Sequence, residues 1–115
     1  MRRWDLKTGI SIGINSFGKG LYLPHYGSIV VNSSARFGDY CIVQSDVNVS
    51  GNVSGGDHIY LAAGAKVLKD VRIPNYCIVA ANAVLNEDIE EENVVVGGIP
   101  AKIISRTGMK DRTSV

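Results

Sequence analysis

A six-residue repeat between residues 31 and 90 constrains this chain more than any other feature of its sequence. Every sixth residue from Val31 to Leu85 is apolar except Gly55, and the positions four residues further on, from Ala35 to Ile89, are all apolar. A period of six fits neither the period of about 3.6 of a helix nor the simple alternation of a strand. It is typical of short strands and turns in which three hexapeptides close one triangular coil, and it therefore predicts a parallel β-helix.

This architecture makes residues 18 positions apart lie above one another, separated by about 4.8 Å, the spacing of paired strands. No single repeat can bury its own apolar face, so the coils must stabilise one another. We expect one all-β domain over residues 1–115 with about four coils. It would consist of a leading segment at 1–16, the coils at 17–96, and a C-terminal turn and tail at 97–115. The pattern does not give the handedness of the coil.

Composition excludes several classes of function. The formal net charge is +1 with both signs scattered along the chain, which provides no basic stripe for a nucleic acid. No apolar run approaches the roughly 18 residues of a transmembrane helix, and no signal peptide is visible, so we expect a cytoplasmic protein. With only two histidines, the chain cannot form a three-histidine metal site, and we expect no metal.

The two cysteines test the proposed register. Cys41 and Cys77 both fall on the inward column, two coils apart. Their separation would be roughly 9–10 Å, which is beyond the reach of a disulfide. We therefore expect two buried free thiols.

The repeat is interrupted once, beside His25. After Leu23 the next inward residue should be residue 29, but the lasting phase starts at Val31, so two extra residues are spent just after His25. Such irregularities often serve a bulge or a site. Histidine is a suitable base near neutral pH, but the residues alone favour a surface turn histidine with polar neighbours.

Polar residues are expected beside His25. Subtracting the two extra residues places Ser45 one coil away from it, with Gln44 and Asp46 on the same face. These three side chains could bind a substrate or fix the tautomer of the imidazole.

A stripe of small residues is expected further along the chain. Ala62-Ala63-Gly64 and Ala80-Ala81-Asn82 lie 18 positions apart and should stack. Small side chains permit close approach of a ligand to the backbone, but they equally suit the tight turns of a β-helix. Lys102 and Arg106 belong to a cationic tail that could simply be solvated.

Several motifs together carry a resemblance to a known family. They are Gly18-Lys19-Gly20-Leu21-Tyr22-Leu23-Pro24-His25 followed by Ile29-Val30-Val31, then Gln44-Ser45, Ala62-Ala63-Gly64-Ala65-Lys66-Val67, Ala80-Ala81-Asn82-Ala83-Val84 and Gly98-Ile99-Pro100-Ala101-Lys102. Over roughly residues 10 to 106 the chain resembles the hexapeptide-repeat acetyltransferases, specifically the serine acetyltransferase branch, which also contains enzymes acting on capsular and surface polysaccharides. The resemblance implies a left-handed β-helix, acetyl-CoA as co-substrate, and a homotrimer with sites between neighbouring subunits.

The resemblance also implies roles for individual residues. His25 would be the general base, and the polar residues expected beside it from the coil step, Gln44, Ser45 and Asp46, are then candidates for binding the acceptor. The coenzyme A arm would lie along Ala62, Ala63, Ala80 and Ala81, and its phosphates would meet Lys102 and Arg106 as charge-assisted donors.

The chain departs from the serine-specific pattern, which has acidic residues at the positions of Ile10 and Pro24. An uncharged sugar hydroxyl is therefore favoured as the acceptor, in a surface polysaccharide or its precursor. The alternatives are a serine acetyltransferase and a catalytically silent β-helix scaffold. His58 superficially resembles a second active-site histidine of the serine-specific members. However, the six-residue phase runs unbroken from Gly55 to Leu61, so His58 is predicted to be a turn residue on a different edge from His25.

Overall fold

The computed structural model describes residues 3–5, 10–13, 15–24 and 27–112, and these form a triangular β-helix. In chain order the strands are β1 (Arg3–Asp5), β2 (Ile10–Gly13), β3 (Ile29–Val31), β4 (Ile42–Val43), β5 (Asn48–Val49), β6 (Ser54–Gly55), β7 (Tyr60–Leu61), β8 (Lys66–Val67), β9 (Arg72–Ile73), β10 (Ile78–Val79), β11 (Val84–Leu85), β12 (Val95–Gly97) and β13 (Lys102–Ser105).

The strands form three sheets, which are the three faces of the prism. The first face has the order β1-β2-β3-β5-β8-β11, the second is β6-β9, and the third is β13-β12-β10-β7-β4. The pairs β1–β2 and β12–β13 are antiparallel, and the other strand pairs are parallel. The predicted parallel β-helix is thus confirmed.

The register through the centre of the chain follows the predicted coil of three hexapeptides. On the first face Asn48 pairs with Lys66, which pairs with Val84. Of the twenty predicted inward positions, nineteen are buried and Gly55 is half-buried. The six-residue pattern is therefore the pattern of the core.

The corners are made by residues in the left-handed backbone region. Non-glycine residues with positive φ recur there, and many of them are Asn or Asp, which tolerate this conformation best. They are Tyr40, Asp46, Asn52, His58, Asp70, Tyr76, Asn82 and Asn93.

Regular stacking begins earlier than residue 17, where the sequence pattern becomes legible. Ile10 pairs with Ile29 and Ile12 with Val31, so β2 adds a rung and the first face has five parallel rungs rather than about four. The step from β2 to β3 is one residue longer than three hexapeptides, which a strict six-residue phase does not reveal.

The C-terminal segment is also more ordered than a turn and polar tail. Strand β13 returns antiparallel to β12, and a short 3₁₀ helix follows at Met109–Asp111. The segment docks on the coils through Gly108 N, which donates to Asn93 O, and Met109 N, which donates to Tyr76 O. This closes part of an otherwise open end of the solenoid.

Cys41 and Cys77 are both buried and free, as predicted. Burial raises the pKa of the Cys41 thiol to about 11, and burial also raises the pKa of Cys77. Both side chains are therefore neutral thiols at physiological pH.

No helix among the described residues has the length and apolar character needed to cross a bilayer.

Candidate functional site

One corner of the prism, between the third and first faces, collects most of the predicted site residues. Gly64 N donates to Ser45 O over 3.0 Å, and Asn82 N donates to Ala63 O over 3.0 Å. Three successive turns therefore stack at this corner, as the step of 18 predicts. We call it the alanine corner, and it consists of residues 44–46, 62–64 and 80–82.

The irregular coil enters the same corner. Tyr22 forms a β-bridge with Ile42, so the step between these stacked residues is two residues longer than three hexapeptides. Val30 pairs with Asn48, a step that again equals three hexapeptides. The two extra residues therefore lie between Tyr22 and Val30, in the stretch that contains His25.

The contact between Gly27 and Ser45 locates the two extra residues more closely. A Cβ built on Gly27 would lie 2.7 Å from the Cβ of Ser45, so the step of 18 is restored by Gly27. His25 itself, with Tyr26, lies outside the described residues. The described residue that follows them, Gly27, lies against Ser45 on the neighbouring coil.

Polar groups line this end of the corner. Gln44 and Ser45 are half-buried and Asp46 is exposed. The Nε2 amide of Gln44 donates to the Tyr60 hydroxyl over 2.8 Å. Asp46 adopts a φ of 62°, and its carbonyl accepts a 2.7 Å hydrogen bond from Lys66 Nζ. Hydrogen-bond donors and acceptors thus lie together on the turn that follows β4.

Lys66 joins two turns of the corner. Its Nζ also donates to Gly64 O over 3.0 Å, so one ammonium group holds carbonyls of successive coils. The ammonium is therefore already hydrogen-bonded within the corner.

Small side chains line the rest of the alanine corner. Ala63 and Ala81 are exposed, and Ala62 and Ala80 are half-buried. Gly64 has a φ of +77°, and a Cβ built on it would lie only 2.1 Å from Asn82 Oδ1. A side chain at Gly64 would therefore displace that of Asn82. The surface around the alanines is mostly backbone and methyl groups, which leaves room for a narrow extended ligand.

Lys102 and Arg106 lie at opposite ends of β13. Lys102 pairs with Gly97 in the ladder and its Nζ is 3.9 Å from Glu87 Oε1. Arg106 forms a two-point pair with Glu91 at 2.9 and 3.0 Å. The strand runs away from the alanine corner, so the structure does not bring Arg106 to the alanine residues of its own chain.

The Arg106–Glu91 pair is exposed. The hydrogen bond from Arg106, followed by its charge, lowers the pKa of the Glu91 carboxyl. Water screens such a pair, so it contributes little to stability.

His58 lies on a different corner, between the second and third faces, as predicted. It is a turn residue with a φ of 55°. Its ring is stacked between those of Tyr40 and Tyr76, with centroid distances of 5.4 and 5.1 Å. The stack is a structural element away from the alanine corner.

Three features of the site were missed from the sequence. Tyr60 contacts Gln44 across 16 residues, a separation that a step of 18 does not suggest. Lys66 bridges the carbonyls of Asp46 and Gly64, which depends on the direction of its side chain. Ile10 is 2% exposed in the core, and its outward neighbour on β2 is Ser11.

Within the described ranges, no group of three His, Cys, Asp or Glu side chains is close enough to hold a metal ion.

Comparison with known proteins gives the relatives of this chain. No protein-family model matches it. It is 33% identical over 114 residues to a serine acetyltransferase of Synechococcus elongatus, covering 91% of this chain and 46% of that protein. It is 30% identical over 112 residues to a serine acetyltransferase of Staphylococcus aureus, covering 90% of this chain and 52% of that protein.

Solved structures agree with the sequence relatives. The serine acetyltransferase of Brucella abortus in complex with coenzyme A matches with a TM-score of 0.77 at 28% identity, covering 86% of this chain and 43% of that chain. The chain thus spans about half the length of the curated relatives it matches. Sequence and fold together identify the chain as a left-handed β-helix homologous to the hexapeptide-repeat acetyltransferases.

Proposed function

We propose that this protein is an acetyl-CoA-dependent O-acetyltransferase whose active site is the alanine corner. One observation carries the proposal: Gly27, which follows the segment of His25, the polar turn of Gln44 and Ser45, and the stripe of small residues meet at one corner. A base and a groove for the acetyl donor must be adjacent for acetyl transfer, and the homology to serine acetyltransferases supports this assignment.

The proposed reaction is direct transfer. The imidazole of His25 accepts the proton of the acceptor hydroxyl, and the hydroxyl oxygen attacks the thioester carbonyl carbon of acetyl-CoA. The carbon–sulfur bond then breaks, and the thiolate of coenzyme A takes the proton from the imidazolium. The products are an acetyl ester and coenzyme A, so the protein returns to its starting state.

The donor would lie along the stripe of small residues. Its pantetheine arm would contact Ala62, Ala63, Ala80 and Ala81, where methyl groups and backbone leave space for a narrow chain. The coenzyme A complex of the Brucella abortus relative supports this choice of ligand.

The phosphates of the donor would meet the cationic tail. Lys102 is exposed, and its pair with Glu87 is loose because the two charged atoms are 3.9 Å apart. Its ammonium group can therefore turn to a phosphate at small cost. Arg106 would have to exchange Glu91 for a phosphate, and its place at the far end of β13 fits a donor bound to a neighbouring subunit better than one bound to its own.

The acceptor would contact Gln44, Ser45 and Asp46. The departures from the serine-specific pattern favour a sugar hydroxyl, but the relatives with similar sequences are named serine acetyltransferases, and serine is therefore the first candidate. The argument for a sugar relied on Ile10 and Pro24. Neither residue supplies a carboxylate for the charged amino group of serine, so a sugar remains the second candidate.

We also propose a homotrimer. The third face presents apolar outward side chains at Tyr22, Ile42, Tyr60 and Ile78, and Tyr22 is 59% exposed. The second face instead presents Arg36, Ser54 and Arg72. An apolar face next to the alanine corner suits a contact with another copy of the chain, with the site between the two.

The first experiment is calorimetric titration of the purified protein with coenzyme A and acetyl-CoA, with its mass measured by sedimentation. Saturable binding at about one site per chain is expected, followed by thioester consumption when L-serine or a sugar is added. A folded protein that binds neither ligand would refute the enzyme and favour the silent scaffold.

A further inference from the structure

One polar residue of the alanine corner is held by a side chain from the third face. Gln44 Nε2 donates to the Tyr60 hydroxyl over 2.8 Å. Both side chains are half-buried, so water competes less for this bond than it would at the surface. The bond connects the turn after β4 to β7 on the next coil.

The backbone fixes where the Tyr60 ring begins. Tyr60 pairs with Ile42 below and with Ile78 above in parallel ladders, so its Cα is held from both sides. A tyrosine side chain has only two torsions and presents a rigid hydroxyl. The hydroxyl is thus a well-placed partner for an amide two residues beyond Ile42.

In this structure the Gln44 amide faces the Tyr60 hydroxyl with its Nε2. A glutamine amide has two N–H donors and one acceptor oxygen, which point in different directions. With Nε2 committed to Tyr60, Oε1 is on the other side of the amide carbon. Across residues 10–13, 15–24 and 27–112, no group donates a hydrogen bond to Oε1.

We propose that Tyr60 is a positioning residue that fixes the Gln44 amide so that Oε1 accepts a hydrogen bond from the acceptor substrate. The inference rests on the proposed function and adds two roles to it. Gln44 Oε1 contacts the acceptor, and Tyr60 acts only through Gln44. An acceptor that offers an N–H or O–H donor beside its reactive hydroxyl satisfies the arrangement.

The test compares Tyr60→Phe with Tyr40→Phe, the same chemical change on the corner of His58. Loss of the Tyr60 hydroxyl should raise the acceptor KM about three- to tenfold, the value of one ordinary hydrogen bond. The kcat and the Kd for coenzyme A should change less than about twofold. Tyr40→Phe should change none of these.

A double-mutant cycle separates positioning from a general structural effect. In the Gln44→Ala background, Tyr60→Phe should add nothing to the acceptor KM, because the group it positions is gone. Additive effects of the two substitutions, or a wild-type acceptor KM in Tyr60→Phe, would overturn the proposal.

A second readout does not depend on turnover. The side-chain amide resonances of Gln44 in a ¹⁵N–¹H spectrum should shift in Tyr60→Phe and stay unchanged in Tyr40→Phe. Unchanged resonances in Tyr60→Phe would also overturn the proposal. Failure of the proposed function gives a different result, since the wild type would not bind coenzyme A while the Gln44 resonances would still respond to Tyr60→Phe.

Discussion

The ring of Phe37 fills the space that a side chain at Gly55 would need. A Cβ built on Gly55 would lie 2.3 Å from Phe37 Cδ2, and the two residues belong to successive coils of the second face. Phe37 also stacks on Phe17, with ring centroids 4.8 Å apart. The single glycine in the apolar column is therefore the complement of a large neighbour.

This complementarity predicts a compensating pair of substitutions. Phe37→Ala should lower the free energy of unfolding by about 3–5 kcal/mol, and Gly55→Val by about 1–3 kcal/mol through overpacking. The double variant should lose less than the sum, since valine occupies part of the vacated space. Denaturant unfolding measures all three.

Gly51→Ala is the control, because a Cβ there comes no closer than 3.4 Å to a neighbour. Its effect should stay below about 1 kcal/mol. Strict additivity of Phe37→Ala and Gly55→Val would contradict the proposed complementarity.

A larger side chain on the alanine corner should block the acetyl donor. Ala63 is exposed, so Ala63→Leu should leave the fold intact while weakening coenzyme A binding at least about tenfold through steric exclusion. Calorimetry gives the Kd, and the thermal midpoint reports the fold.

The matched control is Lys69→Leu. Lys69 holds the corresponding turn position on the corner between the first and second faces, where it is already a large exposed residue. Coenzyme A affinity should be unchanged in this variant. An Ala63→Leu protein that binds as well as the wild type would place the donor elsewhere.

His25 should contribute to turnover and His58 to stability. His25→Ala should reduce kcat by at least about a hundredfold, the range of a lost general base, with little change in stability. His58→Asn retains a residue suited to positive φ but removes the stack on Tyr40 and Tyr76. It should therefore cost about 0.5–1.5 kcal/mol of stability while kcat stays within about twofold.

Steady-state kinetics and thermal unfolding on the same preparations distinguish these outcomes. Full turnover by His25→Ala would exclude this residue as the base. Loss of turnover in a folded His58→Asn protein would mean that the stacked histidine has a chemical role.

Burial of Cys41 predicts a loss of stability at alkaline pH. The folded state raises the pKa of this thiol from 9.0 to about 11, so the neutral thiol is favoured by folding. The resulting stabilisation is complete below pH 9 and is lost as the pH rises towards 11. Two pKa units correspond to about 2–3 kcal/mol.

Unfolding measured between pH 8 and about 11 checks this prediction. The stability of Cys41→Ala should fall less steeply than that of the wild type over this range. Parallel curves for the two proteins would show that another group causes the alkaline loss.

The repeat made the core predictable because every coil has the same geometry. Positions such as Val31 and Ile59 could be assigned inward from period alone, and the stacking of Gln44, Ser45 and the alanines followed from the step of 18. The rung of Ile10 was missed because its step to β3 is one residue longer than a regular coil. Strand β13 was missed because an antiparallel return does not follow the six-residue period.

Side-chain partners were harder to predict than backbone positions. The bond between Gln44 and Tyr60 spans 16 residues, and the pair of Arg106 with Glu91 spans 15. Neither separation is a multiple of the coil, and both depend on how long side chains reach across faces. Handedness came from the family resemblance, because strand spacing and burial are the same for either hand.

The change of step beside His25 has a further consequence. Tyr22 and Val30 both keep their ladder partners, although the step from Tyr22 is two residues longer than the step from Val30. The corner thus absorbs a two-residue insertion while the neighbouring coils keep their register. A lineage could therefore diversify its substrates here by changing segment length, without first acquiring stabilising mutations elsewhere.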